Sequence, residues 1–314
     1  MEIKKKVIVV AAINGGMQKD REGAKVPITP AEIAEDAYQV WKAGASVVHV
    51  HARDAEGKNS GDKKIYAEII ERIRDKCDIL VQTTNGIGIR YDKASGQYIW
   101  PKDDERLGLL DLHPRQDLFG IACASGDFYN PEGGYMVETP YVNSLDLVTQ
   151  TMKTVLAMGS IVEWEVPHAA VLHRMLRVAA QGAFDPMSSR LWILHGSGFG
   201  NSPPLAPHII FSVQEGRRLY PNSLWGTTAT GKDQFWVCNL GLSMNCDSVR
   251  VGFEDNIYLP NGNAAKTNAD LVDSIVNIAA IWGREPATVA EARASFQLEA
   301  APGAVVADRP TAAA

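Results

Sequence analysis

Two histidines separated by a single valine stand in "VVHVHARD" (47–54). The run is apolar and β-branched, which predicts a buried strand. Side chains alternate along a strand, so His49 and His51 share one face. Paired imidazoles at a strand end suit zinc, whose catalytic sites take about three protein ligands and keep one position open. The bland alternative is two rings bonded to backbone or carboxylate. A carboxylate is the natural third ligand, and Glu254 in "SVRVGFED" (248–255) is the best placed candidate. If alternation holds there, Arg250, Gly252 and Glu254 share a face, and a buried Arg and Glu must be paired or metal-bound. Asp255 then reaches the rim, placed to orient Arg250 or to act as a base.

Other segments carry polar groups at strand ends. "SIVEWEV" (160–166) sets Glu163 and Glu165 on one face. Either that face is internal and Arg250 supplies the cation, or it is external and the pair flanks a buried Trp164. "NGGM" brings Asn14 and Met17, and "QTTNGIG" brings Thr84, Asn85 and flexible backbone that binds carboxylate or phosphate. "HGSGFGNSPP" offers glycines for close approach to a nucleotide-like cofactor but matches no Walker or Rossmann pattern. Cys123 reads as apolar filler rather than a nucleophile.

These residues need elements to position them. β-type runs at 7–13, 46–52, 79–85, 118–124, 160–166, 190–196, 224–230 and 248–255 alternate with helical patterns. The first helix carries the clearest start signal, with a Thr29–Glu32 capping box and Pro30 at its first position. About eight strand–helix units predict a TIM (β/α)8 barrel, with an open doubly wound sheet as the rival. No composition break marks a second domain. A single barrel domain over 1–300 is expected, with a C-terminal helical extension at 286–296 and an Ala/Pro-rich tail over 301–314. In such a barrel the strand C-termini carry the chemistry, which is where the residues above fall.

Composition narrows the function classes. The chain has 314 residues, 46% of them hydrophobic, and a formal charge of -6, so it lacks the basic footprint of a nucleic-acid or anionic-membrane binder. Its four cysteines form no C-x-x-C pair, so no disulfide framework is expected. "MEIKKKVIVVAAI" reads as a first strand rather than a signal peptide, and the cytoplasm is the default compartment.

"ITPAEIAEDAYQVWKAGASVVHVHARDAEGKNSGD", "QTTNG", "VEWEV" and "VRVGFEDNIYLPNGNAAKTNADLVDSIVNIA" together resemble the β-keto acid cleavage enzyme family, from about residue 7 to 297. The resemblance implies a zinc-dependent TIM barrel, homo-oligomeric and most often tetrameric. Its reaction converts a β-keto acid and the co-substrate acetyl-CoA into acetoacetate and a new acyl-CoA. It implies His49, His51 and Glu254 as metal ligands, and Arg250, Asp255 and Glu165 as catalytic residues. It also implies Thr84 as a substrate contact, with Asn85, Asn14 and Met17 beside it, and leaves the CoA site open.

Three departures stand out. Met17 replaces the glutamate that amino-keto-acid-cleaving members use, and Ile121 replaces a fourth-strand threonine, which together predict a more apolar or reshaped tail pocket. His195 stands where a glycine is usual, and extra residues occupy 125–142. The rival enzyme reading is an amidohydrolase-type metal hydrolase, with His195 and Asp255 as later ligands. Its H-x-H belongs on the first barrel strand, however, and here it falls on the second. A metal-stabilised or ligand-sensing barrel is the non-enzymatic alternative.

Overall fold

The computed structural model describes residues 3–92, 94–130, 135–197 and 202–299. Eight parallel strands, at Lys6–Ala12, Val47–His49, Leu80–Thr84, Leu118–Ala122, Val162–Val166, Trp192–His195, Leu224–Thr227 and Ser248–Val251, pair in chain order. The first also pairs with the last, Val10 opposite Arg250, and closes a TIM barrel. The open-sheet rival is thereby excluded. The eight runs expected from sequence are the eight staves, the first shifted by one residue and the others shortened by two to four.

The helices start where local chemistry starts them. Thr29 and Glu32 form the capping box ahead of Pro30–Ala43, and Thr267 with Asp270 does the same for Asn268–Ile281. The barrel floor is closed by the C-terminal extension, Val289–Ser295, whose following Phe296 packs on Trp192 with ring centroids 4.7 Å apart. Two antiparallel hairpins, Arg90–Asp92 with Gln97–Ile99 and Gly126–Asn130 with Tyr135–Tyr141, follow the third and fourth staves. Sequence patterning shows neither pair of strands, although the second occupies the extra residues at 125–142. The tail 301–314 and residues 198–201 of "HGSGFGNSPP" lie outside the described residues.

Strand register fixes which side chains meet the barrel axis. Paired residues on neighbouring parallel strands point the same way. His49 is therefore level with Ala12 and Gln82, Gly120 with Glu163, and Ala122 with Glu165. Small residues at Ala12, Gly120 and Ala122 leave the upper axis open, while Trp192, donating to Ser248 Oγ, fills the floor. The intervening residues face the helices. Trp164 does so, its indole N–H directed at Met152 Sδ and its ring beside Phe184 and Tyr220.

The same register revises two expectations. Ile121 pairs with Trp164 and so lies in the helix-facing layer; it does not shape the cleft. His195 also points outward, with its Nδ1 2.8 Å from Ser212 Oγ on the helix Ala206–Leu219. It is neither a rim group nor a metal ligand, which removes the later histidine that the hydrolase reading requires.

His195 yields a stability prediction. Burial lowers its pKa from 6.5 to about 3, so it is neutral in the fold and protonates only on unfolding in that range. Its contribution is complete above pH 6.5 and is lost as pH falls toward 3, by up to about 1.4 kcal/mol per pH unit. We expect His195→Asn, which keeps a partner for Ser212, to lower stability at pH 7.5 by about 1–3 kcal/mol. The deficit should shrink at pH 5, and kcat should stay within about threefold. Thermal melts at the two pH values and steady-state kinetics check this; a collapse of kcat would return His195 to the site.

Candidate active site

The eighth stave ends earlier than alternation suggests. After Val251, Gly252 adopts φ 138°, and a Cβ there would lie 2.2 Å from the Ala12 carbonyl oxygen. The chain turns, Glu254 N–H donates to the same carbonyl oxygen at 3.0 Å, and Glu254 reaches the histidines through this turn rather than along a strand face. Gly252→Ala combines a left-handed φ with a backbone clash. It should cost several kcal/mol, about 3 or more, and displace Glu254. Soluble yield and thermal midpoint beside wild type test this; an unchanged midpoint would show that the turn relaxes freely.

Three ligand atoms converge at the upper axis. His49 Nε2 and His51 Nε2 lie 3.1 Å apart, and Glu254 Oε2 is 3.4 and 3.5 Å from them. Bonds of about 2.0–2.1 Å in a tetrahedral site imply ligand–ligand edges of about 3.3 Å. The triangle fits that spacing. Glu254 Oε2 makes no hydrogen bond and is buried, which suits an oxygen aimed at a cation. Burial lowers the His49 pKa to about 3, so its ring is neutral and ligand-competent. Burial opposes the Glu254 charge, but the neighbouring Arg250 guanidinium holds its carboxyl well below the usual range.

Supporting groups fix the two rings. His49 Nδ1 lies 2.7 Å from Gln82 Oε1, which assigns the proton to Nδ1 and leaves the Nε2 lone pair for a metal. Asn14 brackets the His51 backbone, accepting from its N–H at 2.9 Å and donating to its C=O at 2.8 Å. This continues strand-like pairing beyond His49 and aims the second ring. Arg53 ties the loop after the first stave through the Gly15, Asn14 and Gln18 carbonyls.

Beside the triangle, Arg250 is the hub of four carboxylates. Its Nε and Nη2 donate to the two oxygens of Asp255 at 2.8 and 3.1 Å, and Nη2 also donates to Glu254 at 2.8 Å. Nη1 faces Glu163 and Glu165 at 3.8 and 3.7 Å without a hydrogen bond. Glu163 and Glu165 therefore both point inward, and the external reading of that strand falls. Burial raises Glu163 to about 8, against the opposing pull of Arg250. Burial also raises Glu165 and Asp255, with Arg250 opposing in each case. Four carboxyl groups share one guanidinium, and a dication at the triangle would balance those that ionise.

The groups open into one cleft of about 310 Å³. Met17, Thr84, Glu165, Arg250, Glu254 and Asp255 are among the residues that line it. Thr84 Oγ1 accepts from Gly86 N–H at 2.9 Å. Asn14 and Asn85 stand behind the wall; Asn14 holds His51, and the Asn85 carbonyl accepts from Arg106. Burial pushes the Cys123 thiol well above its ordinary value, so it is no thiolate nucleophile.

Gln82, Trp100 and Tyr141 escape the sequence reading. A polar residue within the apolar run before "TTN" is the one signal that points to Gln82. Nothing local signals the other two.

Known proteins match the chain over most of its length. The chain is 32% identical over 295 residues to the 3-keto-5-aminohexanoate cleavage enzyme of Fusobacterium nucleatum subsp. nucleatum, covering 94% of this chain and 98% of that one. It is 29% identical to the 3-oxoadipate:acetyl-CoA acetyltransferase of Cupriavidus necator, covering 93% and 94%. The apo structure of ObcA shares the barrel, with a TM-score of 0.69 at 17% identity; the match spans 87% of this chain and 65% of ObcA. The family model for beta-keto acid cleavage enzyme matches residues 6–298, and with that match over most of its length this chain belongs to the family.

Proposed function

We propose that this chain transfers the acyl group of a β-keto acid to CoA, consuming acetyl-CoA and releasing acetoacetate, with Zn2+ held by His49, His51 and Glu254. The observation that carries the reading is the shared opening of the donor triangle and the Arg250–Asp255 pair into one cleft. Zinc would act as a Lewis acid toward the keto-acid oxygens and offset enolate charge.

The chain's own residues supply the proton chemistry. Asp255, held on two oxygens by Arg250, takes a proton from C2 of the keto acid. C2 then attacks the acetyl thioester carbonyl, and CoA leaves as thiolate. The thiolate adds to the original C3 carbonyl, and the C2–C3 bond breaks. The electron pair returns to C2, which recovers its proton from Asp255 as acetoacetate departs, and the rest of the substrate leaves as acyl-CoA. Arg250 and the Thr84 hydroxyl are placed to meet the oxyanions of the two additions. Glu165, 3.7 Å from Arg250 Nη1, orients the guanidinium.

The test is mass spectrometry of the protein with acetyl-CoA and a β-keto acid panel, before and after chelation and zinc return. Acetoacetate with a matching new acyl-CoA supports the reading, and hydrolysis without CoA would overturn it. A homotetramer in the cytoplasm, built from one barrel domain over 1–300, completes the proposal; light scattering tests the assembly.

A further inference from the structure

We infer that the keto acid cleaved here carries an uncharged, apolar tail, branched alkyl or aromatic, seated against a Trp100–Tyr141 wall. The inference deepens the proposed reaction and rests on it for the identity of the head group.

The wall is prebuilt. Trp100 and Tyr141 stack with centroids 4.2 Å apart, and both line the cleft. Each comes from one of the two hairpins that follow the third and fourth staves. Met17, Ala122 and Ala124 add apolar surface, and Gly86 keeps that side open. Arg106 locks the pair from behind. It is buried, lies 5.0 Å from the Tyr141 ring centroid, and donates to the Tyr141 hydroxyl, the Asn85 and Val142 carbonyls and the Asn143 side chain.

Charge excludes the other tail classes. The charged side chains among the described cleft residues are Glu165, Arg250, Glu254 and Asp255, which all belong to the Arg250 cluster, and the histidines are His51 and exposed His168. No lysine or second arginine is among these described residues. A tail carboxylate would therefore shed its hydration without a cation to replace it. Arg106 cannot serve, because its N–H groups are already committed. A cationic tail finds no aromatic cage. Such a cage needs free ring faces around the cation, whereas Tyr141 has Trp100 stacked on it and the Arg106 charge over its ring. The cleft carboxylates Glu165, Glu254 and Asp255 already face Arg250.

The experiment uses the zinc-loaded full chain and β-keto acids of matched length, ending in isopropyl, phenyl, carboxylate, primary ammonium or trimethylammonium. New acyl-CoA formation is read by mass spectrometry, and binding is ranked separately by thermal shift. Uncharged tails should exceed every charged tail by at least about 100-fold in kcat/KM, about 2.7 kcal/mol, and lead the binding order. Turnover that favours a charged tail would overturn the inference and leave the reaction standing. Binding led by uncharged tails with no CoA exchange would overturn the reaction and support the apolar site. Trp100→Ala should raise KM for the best acid about 10- to 100-fold with kcat nearly kept. Met17→Glu should shift the preference toward the ammonium tail; unchanged KM in both variants would place the tail elsewhere.

Discussion

His49→Ala should abolish metal retention and lower kcat by at least about 1,000-fold, while the barrel stays folded. The ring is one of three protein donors, and its loss leaves one imidazole and one carboxylate, too few for a zinc site of this kind. The effect should grade outward from the centre. Gln82→Met removes the acceptor that fixes the His49 tautomer and should weaken metal binding about 10- to 100-fold.

Chelation provides an independent readout. A ligand that binds only the folded state raises stability by mass action, and here it also relieves repulsion among Glu163, Glu165, Glu254 and Asp255. A chelator should therefore lower the thermal midpoint of the wild type and leave that of His49→Ala unmoved. Metal content after dialysis, circular dichroism and paired melts decide the matter. Full zinc occupancy in His49→Ala would remove the assignment of the site.

Arg250→Lys should cost about 1,000-fold or more in kcat/KM although the charge is kept. Lysine offers a point charge on a flexible stem and cannot grip both Asp255 oxygens as a planar fork does. Burial works against the Arg250 charge, yet Asp255 and Glu254 hold its pKa well above the ordinary value, a measure of how strongly the pair is coupled. Loss of the grip frees the Asp255 carboxyl to rotate and leaves buried carboxylates poorly compensated, so stability should also fall, by about 3–5 kcal/mol if the lysine fails to reach them.

The chemical effect separates from the structural one by proton exchange. Wild type should exchange the C2 hydrogen of the keto acid with D2O above background before acetyl-CoA is added. Arg250→Lys and Asp255→Asn should both lose that exchange, and the double variant should be little worse than either, because the two side chains act as one unit. Additive losses, or exchange that survives in Asp255→Asn, would move the base to another carboxylate.

The fold was largely legible in sequence. Its signals are local: apolar β-type runs, a capping box at Thr29, and a count of eight units. The pairing of His49 with His51 was legible for the same reason, since i and i+2 share a face whatever the rest of the chain does. Tertiary structure decided what local periodicity cannot encode. Gly252 breaks the last strand, so Glu254 arrives by a turn over Ala12, at a level set by closure of the first stave on the eighth. Register, which depends on neighbouring staves, put Ile121 and His195 outside and both Glu163 and Glu165 inside. Trp100 and Tyr141 meet only because two separate hairpins fold over the same rim. Sequence thus fixed the donors that lie two residues apart on one strand. Barrel closure, a property of contacts far apart in the chain, brought to them the glutamate and arginine already nominated in sequence, and it built the aromatic wall beside them.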